Sequence, residues 1–445
     1  MLVVLDDDPT GTQTVHGIEV VTDWSVDTLR EVMAGKPPVF YILTNSRSFP
    51  LARAQELNRE IGRNLGRAAR ELGAEFDVVS RSDSTLRGHY PGETEVLRQA
   101  LENSLGWSFD GDLLIPFFLE GGRYTAYDVH WVQEGDWLVP AGETEFAKDT
   151  AFGYRASRLP EWVEEKTGGQ VKAEEVVSVS IEDLRLGGTS AVVGKLAALS
   201  RGRVGIVNAV SYPDLELFVQ GLLDPHCQGR RFLFRTAASF VRARAGLEPR
   251  PLLTQEDLLG SHATGARGLI IVGSHVSKSS EQLAALLELP YVDGVELSVP
   301  LVAADPTARQ KELARVLAAV AASWRAGHDV VVYTSREVLR FDTPEENLAL
   351  AQLVSGTLAR VVKDLPTCPR FVVAKGGITS SVVATEGLGV KRAYVAGQLL
   401  PGVPVWRLGV ETRFPGLHYV IFPGNVGHQA ALAEAVSLLR GDEQP

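Results

Sequence analysis

The sequence predicts an α/β protein of two domains, each with a mainly parallel sheet flanked by helices. Short apolar runs alternate with longer amphipathic segments along the chain, and that alternation is the pattern of β-α-β units. The 445 residues also exceed what one ordinary hydrophobic core holds. Residues 246–267, rich in Gly and Pro with little periodic hydrophobicity, are therefore predicted to link domains at 1–245 and 268–445.

In the first domain, short apolar runs predict strands and longer amphipathic stretches predict helices. The strands are expected at Leu2–Leu5, Gly17–Thr22, Val39–Thr44, Phe76–Ser80, Leu113–Pro116, Val176–Val179, Val204–Val207 and Phe232–Phe234. The helices are expected at Val26–Met33, Ala52–Leu72 and Glu93–Leu105.

The second domain repeats this alternation after a short helix in the linker at Gln255–Leu259. Its strands are expected at Gly268–Val272, Val330–Ser335, Phe371–Ala374 and Leu417–Phe422. Its helices are expected at Ser279–Leu287, Leu313–Trp324, Thr343–Val362 and Val382–Glu386, with a last one ending at Leu439.

Three adjacent carboxylates, Asp6, Asp7 and Asp8, follow the first strand directly. In open α/β sheets, ligands bind beyond the carboxyl ends of the strands, which is where these acids lie. Side-chain alternation predicts that Asp6 and Asp8 face one way and Asp7 the other. Adjacent acids repel one another, so such a cluster favours a site that holds a metal or a cationic group; the alternative is a solvated acidic turn.

A second polar cluster follows the strand at Phe76–Ser80. It contains Arg81, Asp83, Ser84, Arg87 and Gly88. The planar fork of an arginine matches a carboxylate, and Asp and Ser side chains suit the hydroxyl groups of a sugar acid. The alternative is a capped helix start with arginines on the surface.

Composition narrows the class of protein. The net charge is −11 and no block of Lys and Arg interrupts the acidic balance, which argues against a nucleic-acid surface. The two cysteines, Cys227 and Cys368, form no disulfide or zinc pattern, and the histidines show no metal-ligand spacing. No apolar run approaches membrane-spanning length, and the chain starts in a strand without a basic leader, so a cytoplasmic protein is expected.

Three glycine-containing corners of the second domain lie between a strand and a helix. They are Gly273-Ser274, the loop Gly376-Gly377-Ile378-Thr379-Ser380, and Gly424-Asn425. Glycines let the backbone approach an anion, and the following helix offers free N–H groups, so the corners together predict a nucleotide site. Lys375 could reach a phosphate or lie on the surface. The sequence contains neither a P-loop nor a Gly-x-Gly-x-x-Gly fingerprint.

These motifs resemble those of the four-carbon acid sugar kinase family. The resemblance rests on Asp6-Asp7-Asp8-Pro9-Thr10-Gly11, on Asp83-Ser84-Thr85-Leu86-Arg87-Gly88 as the most specific element, and on the three glycine corners, the last one extending to Gly427. It implies an N-terminal sugar-acid domain and a C-terminal nucleotide domain. It also implies ATP contacts at Gly273, Ser274, Gly376, Gly377, Ile378, Thr379 and Gly424.

The chain departs from the family pattern at several points. Asp6 replaces a usually small residue, the loop at Pro9–Gln13 has a less common form, and the neighbours of the glycine pair, Lys375 and Ile378, differ. The stretch from Phe117 to Gly153 is also unlike that of the best-known members. These differences bear on the identity of the substrate rather than on the fold or on the use of ATP.

The mechanism expected from the resemblance is ATP-dependent phosphorylation of a hydroxyl of a tetronate such as erythronate, threonate or 3-oxo-tetronate, in an active site in the inter-domain cleft. Arg87 and Arg81 would hold the substrate carboxylate, and Asp83 and Ser84 would orient its hydroxyls. Asp8 or Asp7 would accept the proton, with Asp6 not excluded as the base. Mg²⁺ would bridge the phosphates with few protein ligands, none of which the sequence identifies.

Two alternatives remain open at this stage. Asp6 and Asp8 after a strand also fit the nucleophile motif of haloacid-dehalogenase-type phosphatases, although no convincing later acid pair is present. A non-catalytic sugar-acid-binding protein is the other. The expected partners are a small sugar acid and ATP, with no nucleic acid and no membrane. Which tetronate is used, which hydroxyl reacts and whether the chain is a homodimer are left to experiment.

Overall fold

A computed structural model describes residues 1–200, 202–224, 227, 229–259, 267–274, 276–336, 339, 341, 343–424 and 426–441. It divides the chain into two compact units, one of Met1–Val15 and Asp23–Pro249, the other of His16–Thr22 and Arg250–Pro445. Each unit has a mainly parallel sheet with helices around it, so the predicted fold class is confirmed.

The strands and helices cover most of both units. The strands are β1 (Leu2–Asp6), β2 (Ile18–Val21), β3 (Val39–Leu43), β4 (Asp77–Arg81), β5 (Gly111–Ile115), β6 (Arg123–Ala126), β7 (Val129–Glu134), β8 (Trp137–Pro140), β9 (Val177–Val179), β10 (Arg203–Val207), β11 (Phe232–Thr236), β12 (Leu269–Val272), β13 (Val292–Leu297), β14 (Asp329–Thr334), β15 (Val372–Lys375), β16 (Arg392–Leu400), β17 (Val403–Leu408) and β18 (His418–Phe422). The helices are α1 (Val26–Ala34), α2 (Leu51–Leu72), α3 (Gly92–Leu105), α4 (Leu159–Lys166), α5 (Ile181–Arg185), α6 (Gly188–Ala198), α7 (Tyr212–Leu222), α8 (Ala238–Ala245), α9 (Gln255–Leu259), α10 (Ser277–Leu287), α11 (Val299–Ala304), α12 (Pro306–Ala326), α13 (Pro344–Lys363), α14 (Gly377–Val382) and α15 (Ala431–Arg440).

The main sheet of the first unit is parallel, in the order β3-β1-β4-β11-β5-β10-β9. Its central strands are buried along their whole length, as in β1 and β11, because helices cover both faces of a parallel sheet. This burial is why such strands are continuous apolar runs in the sequence. A separate antiparallel sheet contains β6, β7 and β8.

Two glycines allow helices α2 and α3 of this unit to approach closely. A Cβ atom at Gly62 would lie 2.7 Å from the Cβ of Ala100, and one at Gly66 would lie 2.4 Å from the Cβ of Ser104. Real side chains do not approach that closely, so larger residues at either position would force the helices apart.

The second unit combines a parallel sheet with an antiparallel edge. The parallel part has the order β13-β14-β12-β15-β18, and β17, β16 and β2 continue it in antiparallel fashion. Strand β2 belongs to this unit although it lies within residues 1–245. Leu253 and Leu258, from the predicted linker, are buried in the core of the same unit. The predicted helix at Gln255–Leu259 is present, and residues 260–266 of the linker lie outside the described residues.

Several strands were not predicted. One of them, β17, is mostly buried, and the others share a different burial pattern. Strands β13 and β16 alternate buried and exposed residues, and β7 and β8 are partly exposed. Such strands lack the continuous burial of strands like β1 and β11. The helix predicted at Val382–Glu386 is the second part of a longer helical segment. Helix α14 begins earlier, at Gly377, and ends at Val382, and a short π-helical turn follows at Val383–Gly387. No helix among the described residues combines the length and apolarity that crossing a bilayer requires.

Candidate active site

Four neighbouring strands of the first unit bring polar residues to one edge of its sheet. Asp6 at the end of β1 is in register with Leu43 of β3 and with Arg81 of β4, and Arg81 is in register with Thr236 of β11. The residues that follow these strand ends are therefore neighbours in space although they are far apart in sequence. The predicted acidic and arginine-rich clusters meet at this edge. The three acids and Arg81 are buried, and Asp83 and Arg87 are partly buried.

Asp6 is the most deeply buried of the three adjacent acids, with 1% of its surface exposed. It accepts a hydrogen bond of 3.0 Å from Nη1 of Arg81. Its carboxylate also lies against Gly11, where a Cβ atom would come within 2.2 Å of Oδ2, so only glycine fits there. Burial, assisted by Asp7 and Asp8 and opposed by Arg81, raises the pKa of Asp6 to about 8.

Asp7 and Asp8 share the guanidinium of Arg47, which comes from the segment after β3. Asp8 contacts Arg47 closely and also accepts a 2.7 Å hydrogen bond from the backbone N–H of Thr10, capping a short 3₁₀ helix. Burial raises the pKa of Asp8, but Arg47 and Arg81 together outweigh burial and bring this pKa below its ordinary value. Asp8 therefore carries its charge at neutral pH.

Asp7 differs from Asp8 in its partners and its ionisation. One of its oxygens accepts a 2.5 Å hydrogen bond from Ser82, whereas Oδ1 is buried and has no hydrogen-bond partner among the described residues. Arg47 and Arg81 lie 3.9 and 3.6 Å from that oxygen, beyond hydrogen-bond distance. Burial raises the pKa of Asp7, and the nearby arginines only partly offset it.

The loop Asp83–Gly88 is organised by one carboxylate. Asp83 accepts hydrogen bonds of 2.9 and 3.2 Å from Nε and Nη2 of Arg87, and Arg47 lies 3.3 Å away. Burial disfavours the charge, but Arg87 and Arg47 outweigh it and hold the pKa of Asp83 far below its usual range. Asp83 is therefore an ionised anchor for the loop.

Gly88 closes this loop in a conformation that other residues rarely adopt, with φ of +119°. A Cβ atom there would lie 2.7 Å from both Nη2 of Arg235 and Oγ of Ser82. Arg235, at the end of β11, donates to Ser82 at 2.6 Å and lies 3.3 Å from the buried Glu93. The backbone at Gly88 thus packs directly on the polar group beneath it.

Residues in and after the small sheet of β6–β8 form hydrogen bonds to the backbone of the loop Asp83–Gly88. The ring of His130 bridges the hydroxyl of Thr125, at 3.0 Å, and the backbone carbonyl of Ser84, at 2.7 Å. Burial lowers the pKa of His130 to about 4, so the ring is neutral. Tyr154 donates a 2.6 Å hydrogen bond to the carbonyl of Thr85. The hydroxyl of Ser84 itself makes no hydrogen bond within the described part of the chain.

A pocket opens between this loop and strands β5 and β11. It is lined by Ser82, Asp83, Leu86, Arg87, Leu114, Pro116, Trp162, Arg235 and Thr236. The indole nitrogen of Trp162 and the hydroxyl of Thr236 are buried without a hydrogen-bond partner among the described residues. Buried polar groups are nearly always paired, so these two atoms mark the pocket as a place for a polar ligand.

The second unit brings its three glycine corners together. Strands β12, β15 and β18 are adjacent and parallel, so the corners at their carboxyl ends are neighbours. A Cβ atom at Gly273 would lie 2.2 Å from Oγ1 of Thr379, and one at Gly424 would lie 3.4 Å from Oγ of Ser274. Gly376 has a φ of +109°, a conformation that glycine adopts without strain. Asn425 lies outside the described residues.

The residues in and beside the glycine corners differ in burial and in hydrogen bonding. Ile378 is exposed, whereas Ser380 is buried and donates a 2.8 Å hydrogen bond to the carbonyl of Ala374. Arg336, just after β14, donates a 3.0 Å hydrogen bond to the carbonyl of Ser274. Ser274 also accepts a 3.0 Å hydrogen bond from Ser279 in the first turn of α10.

Lys375 is fully buried, so its interpretation as a surface lysine was wrong. Its ammonium group donates to the carbonyls of Pro423, at 2.9 Å, and Gly424, at 3.4 Å, and lies over the ring of Phe422. Burial and the charge of Lys278 lower the pKa of Lys375 to about 7. This lysine ties the corner after β15 to the corner after β18.

Sequence reasoning missed several residues of the site. Arg47, Arg235 and Arg336 each follow or end a strand. Their position at the carboxyl end of a strand was the sequence feature that could have identified them. His130 and Tyr154 had no such signal, because their contacts depend on how β6 and β7 pair and where the following turns return. No described group of three or more His, Cys, Asp or Glu side chains is arranged to hold a metal ion.

This fold and these sites define a two-domain α/β protein with a polar pocket in one unit and converging glycine corners in the other. Residues 2–244 match the profile of a sugar-binding N-terminal domain, and residues 269–432 match that of a nucleotide-binding C-terminal domain. The chain therefore belongs to the four-carbon acid sugar kinase family, as the sequence motifs predict.

Solved structures support the fold over nearly the whole chain. A Salmonella typhimurium LT2 protein with a provisional tRNA-synthase name aligns with a TM-score of 0.68 at 17% identity, covering 99% of this chain and 98% of its own. The Haemophilus influenzae protein HI1011, of the family DUF1537, aligns with a TM-score of 0.61 at 18% identity, covering 98% of this chain and 99% of its own. No curated protein matches the sequence.

Proposed function

We propose that this protein is an ATP-dependent kinase that phosphorylates a hydroxyl of a four-carbon sugar acid. The observation that carries the proposal is the pocket of the first unit. Arg87 and Arg235 line it together with polar atoms of Trp162 and Thr236 that have no hydrogen-bond partner among the described residues. A small molecule with several hydroxyls and a carboxylate supplies both the acceptors and the donors that such a pocket lacks.

Asp8 is the proposed base for the attacking hydroxyl. Of the three adjacent acids it is the most exposed, at 8% against 1% for Asp6 and 3% for Asp7, and the only one whose pKa lies below its ordinary value. An ionised carboxylate can accept the hydroxyl proton as the phosphoryl group is transferred. Asp7, with its unpartnered Oδ1, is the second candidate.

The remaining predicted residues shape the substrate site. Asp83 and Ser84 are proposed to orient the substrate hydroxyls, since Ser84 has a free hydroxyl and Asp83 is ionised. Arg87 and Arg81 each pair with a carboxylate of the protein, and Gly88 lets the loop pack on Ser82 and Arg235. In this proposal, Arg87 and Arg81 contact the substrate and keep their ion pairs with the carboxylates of the protein.

ATP fits the glycine corners of the second unit. Gly273, Ser274, Gly376, Gly377, Thr379 and Gly424 are proposed to contact its phosphates, and the exposed Ile378 is proposed to contact the rest of the nucleotide. The described residues form no protein cage for Mg²⁺. A magnesium ion that accompanies ATP would be bound by phosphate oxygens and water.

A substrate panel tests the proposal. Purified protein is incubated with ATP, Mg²⁺ and isomers of erythronate, threonate and 3-oxo-tetronate, and phosphorylated product is detected by mass spectrometry. We expect at least one tetronate to be phosphorylated, with stoichiometric formation of ADP. Binding of ATP without turnover of any sugar acid would contradict the kinase function and support the binding protein considered above.

The phosphatase alternative gains no observation from the structure. A nucleophilic Asp6 would have to be ionised and open to phosphate, whereas its pKa is about 8 and its carboxylate is enclosed by Arg81 and Gly11. Trapping an aspartyl-phosphate on Asp6 would nevertheless establish that chemistry. The homodimer and the cytoplasmic location stay predictions, and light scattering of the purified protein tests the first.

A further inference from the structure

Arg123 is a buried arginine beside the candidate substrate loop. It begins β6, follows the turn at Gly122, and has 9% of its surface exposed. Its guanidinium lies over the ring of Phe146, 5.7 Å from the ring centre, and Arg87 stacks on the same ring at 5.1 Å. The missing side chain of Gly121 leaves room for it, because a Cβ atom there would lie 3.2 Å from Nη1 of Arg123.

The side chain of Arg123 has no ion-pair partner among the described residues. It forms no ion pair or side-chain hydrogen bond within the described residues, and its buried Nε has no partner. The other arginines of the site differ: Arg47 pairs with Asp8, Arg81 with Asp6, Arg87 with Asp83, and Arg235 with Glu93. Burying an unpaired charge is costly, so a folded protein seldom keeps one without a use for it.

The direction of the pKa shift also distinguishes Arg123 from the neighbouring arginines. Burial lowers the pKa of Arg123, because Asp83 only partly offsets the loss of water and Arg87 opposes it. For Arg47, Arg81 and Arg87, burial is outweighed by their carboxylate partners, and the pKa is raised. Arg123 therefore lacks an anionic partner among the described residues. Arg87, in contrast, pairs with Asp83 and lies 3.5 Å from Asp149.

We propose that Arg123 is the residue that binds the carboxylate of the sugar acid and thereby selects acids over neutral polyols. This assignment rests on the proposed function, because it takes the ligand of the first unit to be a sugar acid. A guanidinium forms two parallel hydrogen bonds with a carboxylate, and a ligand carboxylate at this position would supply the missing partner. Phe146 would fix the plane of that guanidinium by stacking on it.

The test compares acids with uncharged analogues in the full-length protein. Binding of erythronate and threonate, and of the tetritols erythritol and threitol, is measured by calorimetry for the wild type, Arg123→Met and Arg123→Lys. We expect Arg123→Met to weaken binding of the acid by about 10- to 100-fold, the usual effect of losing hydrogen bonds to a charged group, and to leave tetritol binding unchanged. Arg123→Lys should recover part of the loss. Equal acid binding by the wild type and Arg123→Met would overturn the proposal.

Thermal unfolding distinguishes binding from a structural role. Replacing a buried, unpaired cation with methionine should leave the melting temperature unchanged or raise it, whereas a structural arginine would lower it. Arg242→Met, which removes an arginine of the same unit that is paired with Glu120, serves as the matched control and should leave acid binding unchanged. A lowered melting temperature with unchanged acid binding would assign Arg123 to the fold and overturn the proposal.

The two proposals fail in different ways. If the wild type binds a tetronate, Arg123→Met loses it, and no tetronate is phosphorylated, the kinase function is wrong and the role of Arg123 is supported. If a tetronate is phosphorylated and Arg123→Met keeps the wild-type KM for it, the kinase function is supported and the role of Arg123 is wrong. If the wild type binds no tetronate, both are wrong.

Discussion

At the scale of single residues, the three adjacent acids show how one short sequence produces three chemical environments. Asp6, Asp7 and Asp8 are all buried, yet the pKa is raised for the first two and lowered for the third. The difference follows from how the arginines are shared, since Asp8 has the closest contact with Arg47 and a backbone donor at Thr10. Proteins place acids of different ionisation side by side where one of them must act as a base.

Asp8→Asn tests the role of the ionised acid. The amide keeps the shape of the side chain but cannot accept a proton, so we expect kcat to fall about 10²- to 10⁴-fold with little change in KM for either substrate. Steady-state kinetics on the tetronate accepted by the wild type measures this. Asp136→Asn, a change at an exposed position of the same unit, is the control. An unchanged kcat for Asp8→Asn would remove Asp8 as the base.

Asp6 makes a prediction about pH and stability. In the unfolded chain it ionises near pH 3.8, whereas in the folded protein it holds its proton up to about pH 8. Folding stability from this group is therefore complete below pH 3.8 and declines as the pH rises to about 8, by up to about 1.4 kcal/mol per pH unit.

Asp6→Asn removes that ionisation, so the variant should gain stability relative to the wild type as the pH rises from 5 to about 8. Urea unfolding at several pH values gives the difference in the free energy of unfolding. A constant difference across this range would show that Asp6 does not titrate as described.

At the scale of elements, the ends of parallel strands carry both candidate sites, and this part of the molecule could be predicted. Strands such as β1, β4, β12 and β15 are buried on both faces, so they are apolar runs, and the polar residue after each run marks its end. Parallel strands have their carboxyl ends at one edge, which is why the acids and Arg81 meet and why Gly273 meets Thr379.

The rest could not be predicted, for reasons that lie in tertiary structure. Along β13 and β16 buried residues alternate with more exposed ones, and the small sheet of β6, β7 and β8 is partly exposed. Arg123 and His130 reach the substrate loop only because β6 pairs with β7 and returns toward Ser84. A side chain whose role depends on such a pairing leaves no periodic signal in the sequence.

Lys375 links two of these strand ends, and its removal should loosen the nucleotide corner. In a trans peptide the C=O and N–H point in opposite directions, so the bond from Lys375 to the carbonyl of Pro423 turns the N–H of Gly424 away from the lysine. We expect Lys375→Met, which preserves the volume, to raise KM for ATP about 10-fold and to leave KM for the sugar acid unchanged. Steady-state kinetics with each substrate varied in turn measures both.

Lys311→Met, on the exposed face of α12, is the matched control for this change and should have neither effect. Equal changes in both KM values, or none in KM for ATP, would contradict the role of Lys375 in the corner.

At the scale of the whole molecule, the candidate substrate pocket and the glycine corners belong to separate compact units. The pocket of Asp83 and Arg87 lies in the first unit, and the corners at Gly376 and Gly424 lie in the second. Each unit has its own sheet and its own core, so each ligand has a complete set of proposed contacts within one unit. A kinase with this organisation should bind its two substrates through parts of the chain that can be altered one at a time.

Paired thermal-shift measurements test that separation. A ligand that binds the folded protein stabilises it by about 2.7 kcal/mol at a concentration 100-fold above its Kd, so the wild type should respond to ATP and to a tetronate. Gly376→Ala places a Cβ atom 3.2 Å from that of Ser274 at a φ of +109°. This variant should lose the response to ATP and keep the response to the tetronate. Arg123→Met, with acid binding weakened 10- to 100-fold, should reduce only the response to the acid, to about 0.4–1.4 kcal/mol at the same concentration. If either substitution removed both responses, the two ligands would not bind through separate units, and the assignment of one substrate to each unit would be wrong.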